Sequence, residues 1–232
     1  MKAEYGTENR GALREVVIGR NSSVWRKSRA NRAISERFKK AIGHDEVSAF
    51  TFTSVDRVWV FSYSRKPAEN SRLLDVLESA AVHEVVYVSS AATIVTRLTR
   101  CYGYPTVKQI AEDEARRRLN ARVLILGLVV DRVDELPPGL NAATLQGAIE
   151  EFLLAPRWPD DGGRSMRLFK TVDVPFTRAW EARLHRAYSE LQWVVRYWPC
   201  VLRPVDVMLR ALGIRWYGYV NLSNRLWNTT TS

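Results

Sequence analysis

The sequence predicts a single α/β domain, a shortened doubly wound parallel sheet with a helical C-terminal appendage. Two short apolar runs carry this prediction, residues 16–18 and residues 85–88, the second ending in a pair of serines. Runs rich in β-branched residues and bounded by small polar ones are typical of buried parallel strands. A helical segment opens at Tyr104 and precedes a third apolar run, residues 122–131. Strands and helices that alternate along a chain favour a parallel sheet covered on both faces.

Length and composition set the limits of this prediction. A chain of 232 residues can bury one substantial core, and its 46% hydrophobic and 26% charged residues are ordinary for a globular protein. We expect the sheet domain to span residues 14–175. Residues 176–232 are expected to form a helical segment, rich in aromatic residues and arginine, that packs on it.

The net charge of +10 is unusual, and only seven of the 35 basic residues are lysine. Arginine binds phosphate in a bidentate manner, so nucleotide diphosphates, lipid phosphates and nucleic acid are candidate partners. No recognition motif for a specific nucleic acid is present. The alternative is a solvated basic surface without a dedicated partner.

Cysteine and histidine usage favours neither disulfides nor metal. Cys101 and Cys200 lie far apart and without metal-ligand spacing, which predicts free thiols in a reducing compartment. The three histidines form no ligand pattern. The first residues lack an apolar signal segment, and no apolar run approaches the roughly 20 residues of a membrane-spanning helix. We therefore expect a cytoplasmic protein, peripheral on the inner membrane face if it binds a membrane.

Tyr104 and Lys108 are spaced for chemistry. Residues four apart share one face of a helix, one turn apart. An ammonium near a phenol stabilises the phenolate, which makes tyrosine a plausible acid or base near neutral pH.

Around these residues the chain resembles the extended, epimerase/dehydratase-like branch of the short-chain dehydrogenase/reductase superfamily. That family places a Ser or Thr after one strand and a Tyr-x-x-x-Lys on the next helix, and Ser89, Ser90, Tyr104 and Lys108 occur here in that order. Residues 67–83 resemble the preceding family helix with its Asn70. Residues 122–131 resemble the strand that follows the catalytic helix. The resemblance covers roughly residues 16–133.

The resemblance implies a Rossmann-like oxidoreductase or epimerase acting on a nucleotide- or lipid-linked sugar in surface-polysaccharide assembly. Tyr104 would be the acid or base, Lys108 would lower its pKa, and Ser90 would polarise the substrate. The family also implies a homodimer. NAD or NADP would be held at the turn after the first strand, by Gly19, Arg20, Asn21, Ser22 and Ser23.

The turn departs from the glycine-rich family pattern. Gly19 fits the first glycine position, but Ser22 takes the second and Trp25 the third. One interpretation is a phosphate-binding turn of altered preference, because a helix N-terminus still attracts anions. The other is an ordinary capped helix whose Trp25 fills the space that a cofactor or close packing would use.

The sequence also departs from the family pattern where the adenosine of a cofactor would bind and at the position of the active serine. We expect a long basic helix to residue 42 and a strand over residues 46–54, with no room for the usual extra βα unit before the strand that starts at Arg57. Asp56 is the only obvious acid for a ribose, and Arg57 is expected to neutralise it. In the extended branch the active hydroxyl commonly falls one place beyond a serine pair, at Ala91 here, so Ser90 would act only with a register shift.

The C-terminal third interleaves aromatic residues with arginines. Such a stretch is typical of a membrane interface or a protein interface, and it also suits the core of the last helices. All three alternatives stay open at this point. The residues concerned are Trp193, Tyr197, Trp198, Trp216, Tyr217, Tyr219 and Trp227, with Arg196, Arg203, Arg210, Arg215 and Arg225.

Two functions follow from these observations. The first is an active oxidoreductase or epimerase, favoured by Tyr104 and Lys108. The second is a cofactor-free degenerate member of the family that serves as a binding or scaffolding subunit, favoured by Ser22 and Trp25.

Overall fold

A computed structural model of the chain describes residues 13–136, 139, 142–159, 162–172, 174–190, 197–212 and 218–230. The main sheet has six parallel strands: β1 (Arg14–Ile18), β2 (Lys40–Ile42), β3 (Asp56–Val60), β4 (Glu84–Ser90), β5 (Arg122–Leu126) and β8 (Ser165–Arg167). They lie side by side in the order β2-β1-β3-β4-β5-β8. The α/β, doubly wound prediction is confirmed.

Alternate residues of each strand point to opposite faces of the sheet, and each face has its own hydrophobic core. Val58 and Val60 face the layer of α3 (Pro67–Ser79) and α4 (Gly103–Leu119). Trp59, between them, faces the opposite layer. That layer contains α1 (Ser23–Ser28), α2 (Arg32–Arg37) and α5 (Gln146–Leu154). The period of two along each strand therefore separates the layers, as a sheet covered on both faces requires.

The expected long basic helix is wrong. The chain forms α1 and α2, then turns into β2, which pairs in parallel with β1 at the edge of the sheet. The break occurs because the Asn31 side chain accepts a hydrogen bond from the backbone N–H of Ala33, at 3.1 Å, and so caps the start of α2. Three residues suffice for an edge strand, and its alternation is too short to be detected in the sequence.

The strand expected over residues 46–54 is also wrong. A short 3-10 helix, Val47–Ala49, occupies part of it, and Phe50 and Phe52 pack edge to face with ring centroids 4.7 Å apart. The prediction that the extra βα unit is missing is confirmed. The chain passes from β2 directly to β3, and the described sheet ends at β2.

Asp56 does not pair with Arg57. Its fully buried carboxylate binds Arg14 through two bonds, of 2.6 and 2.7 Å, and accepts the N–H of Thr53 at 2.8 Å. Burial alone would raise the pKa of Asp56, but these bonds together hold it below its ordinary value. Asp56 begins β3, at the edge opposite the carboxyl ends of the strands, so it cannot serve a ligand there.

Among the described residues, the C-terminal half adds a small second sheet and three helices after α5. The apolar residues of 142–154 follow a helical period, but this segment begins as a strand and is helical only from Gln146. The remaining elements are β6 (Leu128–Val130), β7 (Ala142–Leu145), β9 (Lys170–Thr171), α6 (Ala179–Glu190), α7 (Pro199–Ala211) and α8 (Gly218–Thr230).

Removing the Asp56 carboxylate should destabilise the fold. The Asp56→Ala change removes the buried acceptor of Arg14 and of the Thr53 N–H, and we expect a loss of about 1–3 kcal/mol in the free energy of unfolding at pH 7. Because the folded-state pKa is lowered, the loss should shrink as the pH falls through the acidic range. Urea denaturation at several pH values measures this effect.

The matched control is Asp134→Ala, whose partner Arg132 is 74% exposed in its side chain. That exposed pair should contribute less than about 0.5 kcal/mol. Equal effects of the two substitutions would contradict the structural role given to Asp56.

Candidate active site

The carboxyl end of β4 brings Ser90 to the start of α4, which carries Tyr104 and Lys108. Ser90 ends the strand, and its hydroxyl accepts the N–H of Ala92 at 3.3 Å, so the chain turns into a short 3-10 helix, Ala91–Arg97. Helix α4 then packs back along β4, with Tyr104 in its first turn. The predicted trio thus lies at the edge where parallel sheets bind ligands.

Desolvation raises the pKa of Tyr104 above its ordinary value, and the Ser90 hydroxyl lowers it by a smaller amount. Tyr104 nevertheless keeps 38% of its surface exposed. The shorter interval between the serine pair and the tyrosine therefore still brings Ser90 near the phenol, and the role of its hydroxyl stays a prediction. The phenol is protonated at neutral pH.

Lys108 lies beneath this surface in an unusual environment for an ammonium group. Only 7% of the residue is exposed, and Nζ lies 5.3 Å from the ring centre of Tyr63 and 5.5 Å from that of Tyr87. Desolvation lowers the pKa of Lys108 to about 8, against a partial opposing effect of Glu112. Of the carboxylates in the described ranges, none lies within ion-pair distance of Nζ. Cation–π contact with two rings supplies the local compensation.

The Lys108 amine faces the rings of Tyr63 and Tyr87. Burial raises the pKa of Tyr104 and the Ser90 hydroxyl lowers it by less. The expectation that Lys108 lowers the pKa of Tyr104 stays a prediction.

Glu112 continues the same helix face one turn beyond Lys108. It accepts the Ser89 hydroxyl at 2.5 Å, and its other oxygen pairs with Arg116 at 2.8 Å. Arg116 also donates to the hydroxyl of Ser165 on β8 at 2.8 Å. These contacts fix α4 to the strands on either side. Because Glu112 is itself buried, its charge favours the ammonium form of Lys108.

Three further tyrosines complete the site. The ring of Tyr63 meets Tyr104 edge to face at 5.4 Å, and the ring of Tyr219 lies 5.9 Å from it on α8. Tyr87 lies deeper, with a buried hydroxyl that has no hydrogen-bond partner, and its pKa is raised by desolvation and by Glu112. The sequence did not predict these three tyrosines as parts of the site. Tyr63 lies after β3, Tyr219 lies on α8 and Tyr87 is a residue of β4, so no local pattern shows that they meet.

The turn after β1 keeps one feature of a nucleotide-binding turn. Gly19 has φ +106°, and a Cβ there would lie 2.6 Å from the backbone nitrogen of Ser62, so only glycine fits. Its N–H and that of Arg20 both donate to the carbonyl of Ile42, at 2.8 and 3.0 Å. The Arg20 guanidinium pairs with Glu46 at 2.7 Å. Asn21 and Ser23 are exposed at the start of α1.

Trp25 belongs to the core between α1 and the sheet. It is 2% exposed, and its ring lies 5.5 Å from Phe38 and 5.7 Å from Phe61. The third family glycine normally lets the helix pack closely on the strand. Here an indole fills that layer, so α1 is a short helix of six residues held over a wide aromatic core.

The structure also adds an acid that sequence reasoning missed. Gly43, His44 and Asp45 follow β2 directly, at the position where the family holds an adenosine ribose. Asp45 is exposed, and His44 Nδ1 lies 3.0 Å from the Ser62 hydroxyl beyond β3. The signal was hidden because β2 lay inside the expected basic helix.

No family model matches the chain, and no curated protein matches it. The solved structures that match include two enzymes. One is a short-chain dehydrogenase/reductase from Veillonella parvula, 15% identical, with a TM-score of 0.48 over 71% of this chain and 98% of that one. Another is a UDP-N-acetylglucosamine 4-epimerase from Bacillus cereus, 8% identical, with a TM-score of 0.43 over 68% of this chain and 75% of that one.

Replacing the buried amine should stabilise the protein. In Lys108→Met a side chain of similar length fills the same space without desolvating a charge, and we expect the free energy of unfolding to rise by roughly 1–3 kcal/mol at pH 7. Between pH 8 and 10.5 the unfolded state binds more protons than the folded state, so wild-type stability should rise with pH in that window. The advantage of the variant should shrink there.

Thermal denaturation from pH 6 to pH 10 measures both effects. Lys66→Met is the control, because the Lys66 side chain is 79% exposed. A Lys108→Met protein that is less stable than wild type at pH 7 would show that the amine contributes net stability, contrary to this account.

Proposed function

We propose that the protein is an oxidoreductase or epimerase of the short-chain dehydrogenase type, acting in the cytoplasm on a hydroxyl or carbonyl carbon of a nucleotide- or lipid-linked sugar in surface-polysaccharide assembly. The observation that carries the proposal is the proximity of the Ser90 hydroxyl to the Tyr104 phenol, with Lys108 one helical turn further along α4. Separate elements bring these groups together at the carboxyl edge of the sheet. The homodimer implied by the resemblance stays a prediction.

Tyr104, Ser90 and Lys108 would each have a separate role in proton transfer. Tyr104 is protonated at neutral pH, so it can donate its proton to an oxygen that becomes an alkoxide, and it can recover a proton in the reverse direction. The single hydroxyl proton of Ser90 can turn from the phenol to the substrate oxygen and so stabilise the charge that develops there. Lys108, with a pKa of about 8, changes charge near neutral pH. A charged Lys108 would favour the phenolate when Tyr104 acts as the base.

NAD or NADP is the cofactor of this proposal and would supply the hydride. The residues fit it in part. Gly19 gives the tight turn and the exposed Asn21 and Ser23 stand at the helix start, while Asp45 stands where a ribose hydroxyl would be bound. Ser22 adds a Cβ where the family has glycine, and Arg20 is engaged with Glu46. We expect weak cofactor binding on these grounds.

A second function is favoured by one specific observation. Trp25 occupies the core below the turn, and α1 has only six residues, so the nucleotide half of the site departs from the family more than the catalytic half does. A cofactor-free binding or scaffolding subunit that recognises the sugar through Tyr63, Tyr104 and Tyr219 would keep the aromatic surface without hydride chemistry.

The phenol hydroxyl is the most direct test of the enzyme hypothesis. Tyr104→Phe should lower turnover by about 10²- to 10⁴-fold, because general acid–base groups typically contribute that much, while substrate affinity stays near the wild-type value. With a panel of nucleotide-linked and lipid-linked sugars, net oxidation or reduction is followed by nicotinamide absorbance and epimerisation by chromatographic separation of the sugar epimers.

Tyr197→Phe, assayed with water-soluble nucleotide-linked sugars, is the control, since Tyr197 is 70% exposed and lies outside the site. Near-normal turnover of Tyr104→Phe would remove the phenol from the mechanism.

Calorimetric titration separates the two functions. With NAD, NADP and their reduced forms, binding that Asp45→Ala weakens supports the enzyme and places the ribose end. Binding of a nucleotide sugar with no heat from any dinucleotide supports the scaffolding subunit instead.

A further inference from the structure

Helix α7 presents an apolar surface to solvent. Five of its described residues or immediate neighbours are large, apolar and exposed by about half of their surface or more, which is unusual for one short helix. Three lie on the helix or directly after it: Val207 at 60%, Met208 at 54% and Leu212 at 69%. Two lie directly before it: Tyr197 at 70% and Trp198 at 68%. Val201, on the helix, is exposed at 45%.

The helical period places three of these residues on one stripe. Val201, Met208 and Leu212 are separated by seven and four positions, and the N–H of Leu212 continues the helical bonding to Met208 at 3.0 Å. Val207 and the exposed Pro204 extend the stripe sideways. The outward side of α7 is therefore largely apolar, with the exposed Arg203 at its margin.

Helix α7 departs from the pattern of an ordinary surface helix. Asp206 is 6% exposed, and Leu209 packs with Val95, Tyr102 and Leu222. A surface helix normally buries its apolar side and exposes its charged side. On α7 an acidic residue is buried, whereas Val207, Met208 and Leu212 stay exposed.

Charge identifies the occupant of this surface. After Pro175 the chain carries eight arginines and three acidic residues, with no lysine, and the whole protein has a net charge of +10. Arg203 on α7 and Arg183 and Arg186 on α6 are exposed. Basic residues that flank an apolar stripe with Trp and Tyr at one end are typical of helices that lie in the surface of an anionic bilayer.

Spanning helices do not explain the stripe, because none of the described helices is long and apolar enough to cross a bilayer. Helix α7 has 13 residues and contains Pro204. Such a helix can insert one face into the headgroup region while its other face stays on the protein.

We propose that the outward face of α7 is a docking surface for an anionic lipid bilayer. Tyr197 and Trp198 anchor one end at the headgroup level, Val201, Met208 and Leu212 enter the acyl boundary, and the arginines contact lipid phosphates. Docking does not depend on the proposed function and would stand if the site proved inactive.

The docking face lies beside the candidate site. Leu209 and Val205, on the inner side of α7, pack in the cluster that contains Tyr102 and Tyr219, and Tyr219 borders Tyr104. A docked molecule would therefore hold the mouth of the site near the headgroups. That placement favours the lipid-linked class of substrate, and this one extension rests on the proposed function.

Vesicle sedimentation tests the docking surface. Full-length protein is mixed with vesicles of phosphatidylcholine alone or of phosphatidylcholine with phosphatidylglycerol, at low and at high salt. We expect binding to the anionic vesicles that falls with salt, since the Debye length shortens to about 3 Å at 1 M. The triple change Val207→Ser, Met208→Gln and Leu212→Gln should weaken binding by about tenfold or more.

A matched variant changes exposed apolar residues elsewhere, Val55→Ser, Leu128→Gln and Val133→Ser, and should bind as wild type does. Circular dichroism must show both variants folded, and should the α7 variant unfold, the single change Leu212→Gln replaces it, with a smaller loss expected. Binding that is absent, or equal in both variants, overturns the proposal. A dimer that forms without lipid and is lost only in the α7 variant also overturns it, because the face would then bind a second copy.

Discussion

The buried amine of Lys108 is the constraint on which the rest of the site depends. An ammonium group withdrawn from water needs compensation, and here it comes from the rings of Tyr63 and Tyr87 and from the charge of Glu112. Glu112 is held by Ser89 on β4 and by Arg116, which reaches β8. The same contacts that make Lys108 tolerable thus fix the rotation of α4, and that rotation delivers Tyr104 to Ser90. The buried amine therefore destabilises the fold while its contacts hold the side chains of the candidate site in place, as is common at functional sites.

The two halves of the candidate site follow the family resemblance to different degrees. On the α4 side, Ser90, Tyr104 and Lys108 occur in the family order, and Ser90 lies near the Tyr104 phenol. On the turn side, Gly19 keeps its left-handed conformation, but Trp25 fills the layer beneath the helix and the chain omits one βα unit. These departures are the reason that the proposed cofactor binding is expected to be weak.

The sequence was sufficient for features set by local patterns. The strands around residues 16–18 and 85–88 are short apolar runs that are buried on both faces, and Tyr104 and Lys108 share a helix face by spacing alone. Features set by distant parts of the chain were not available from it. Tyr219 reaches Tyr104 from α8, and Arg14 rather than the neighbouring Arg57 binds Asp56. Strand β2 escaped notice because three residues in a basic segment are stabilised by pairing with β1, not by their own propensity. The C-terminal aromatics divide among the alternatives, since Trp227 is buried in the core whereas Trp198 is exposed, and Trp193 and Trp216 lie outside the described residues.

The titration of Lys108 itself tests the central claim most directly. Nuclear magnetic resonance of protein labelled at the lysine side chains, with Lys108→Met to assign the signal, gives the pKa of Nζ. We predict a midpoint near pH 8 in the wild type and a lower one in Glu112→Gln, because the carboxylate favours the charged amine. An ordinary midpoint near 10.5, unchanged by Glu112→Gln, would contradict the account. Lys108 would then be a solvated lysine and not a buried amine whose compensation positions α4.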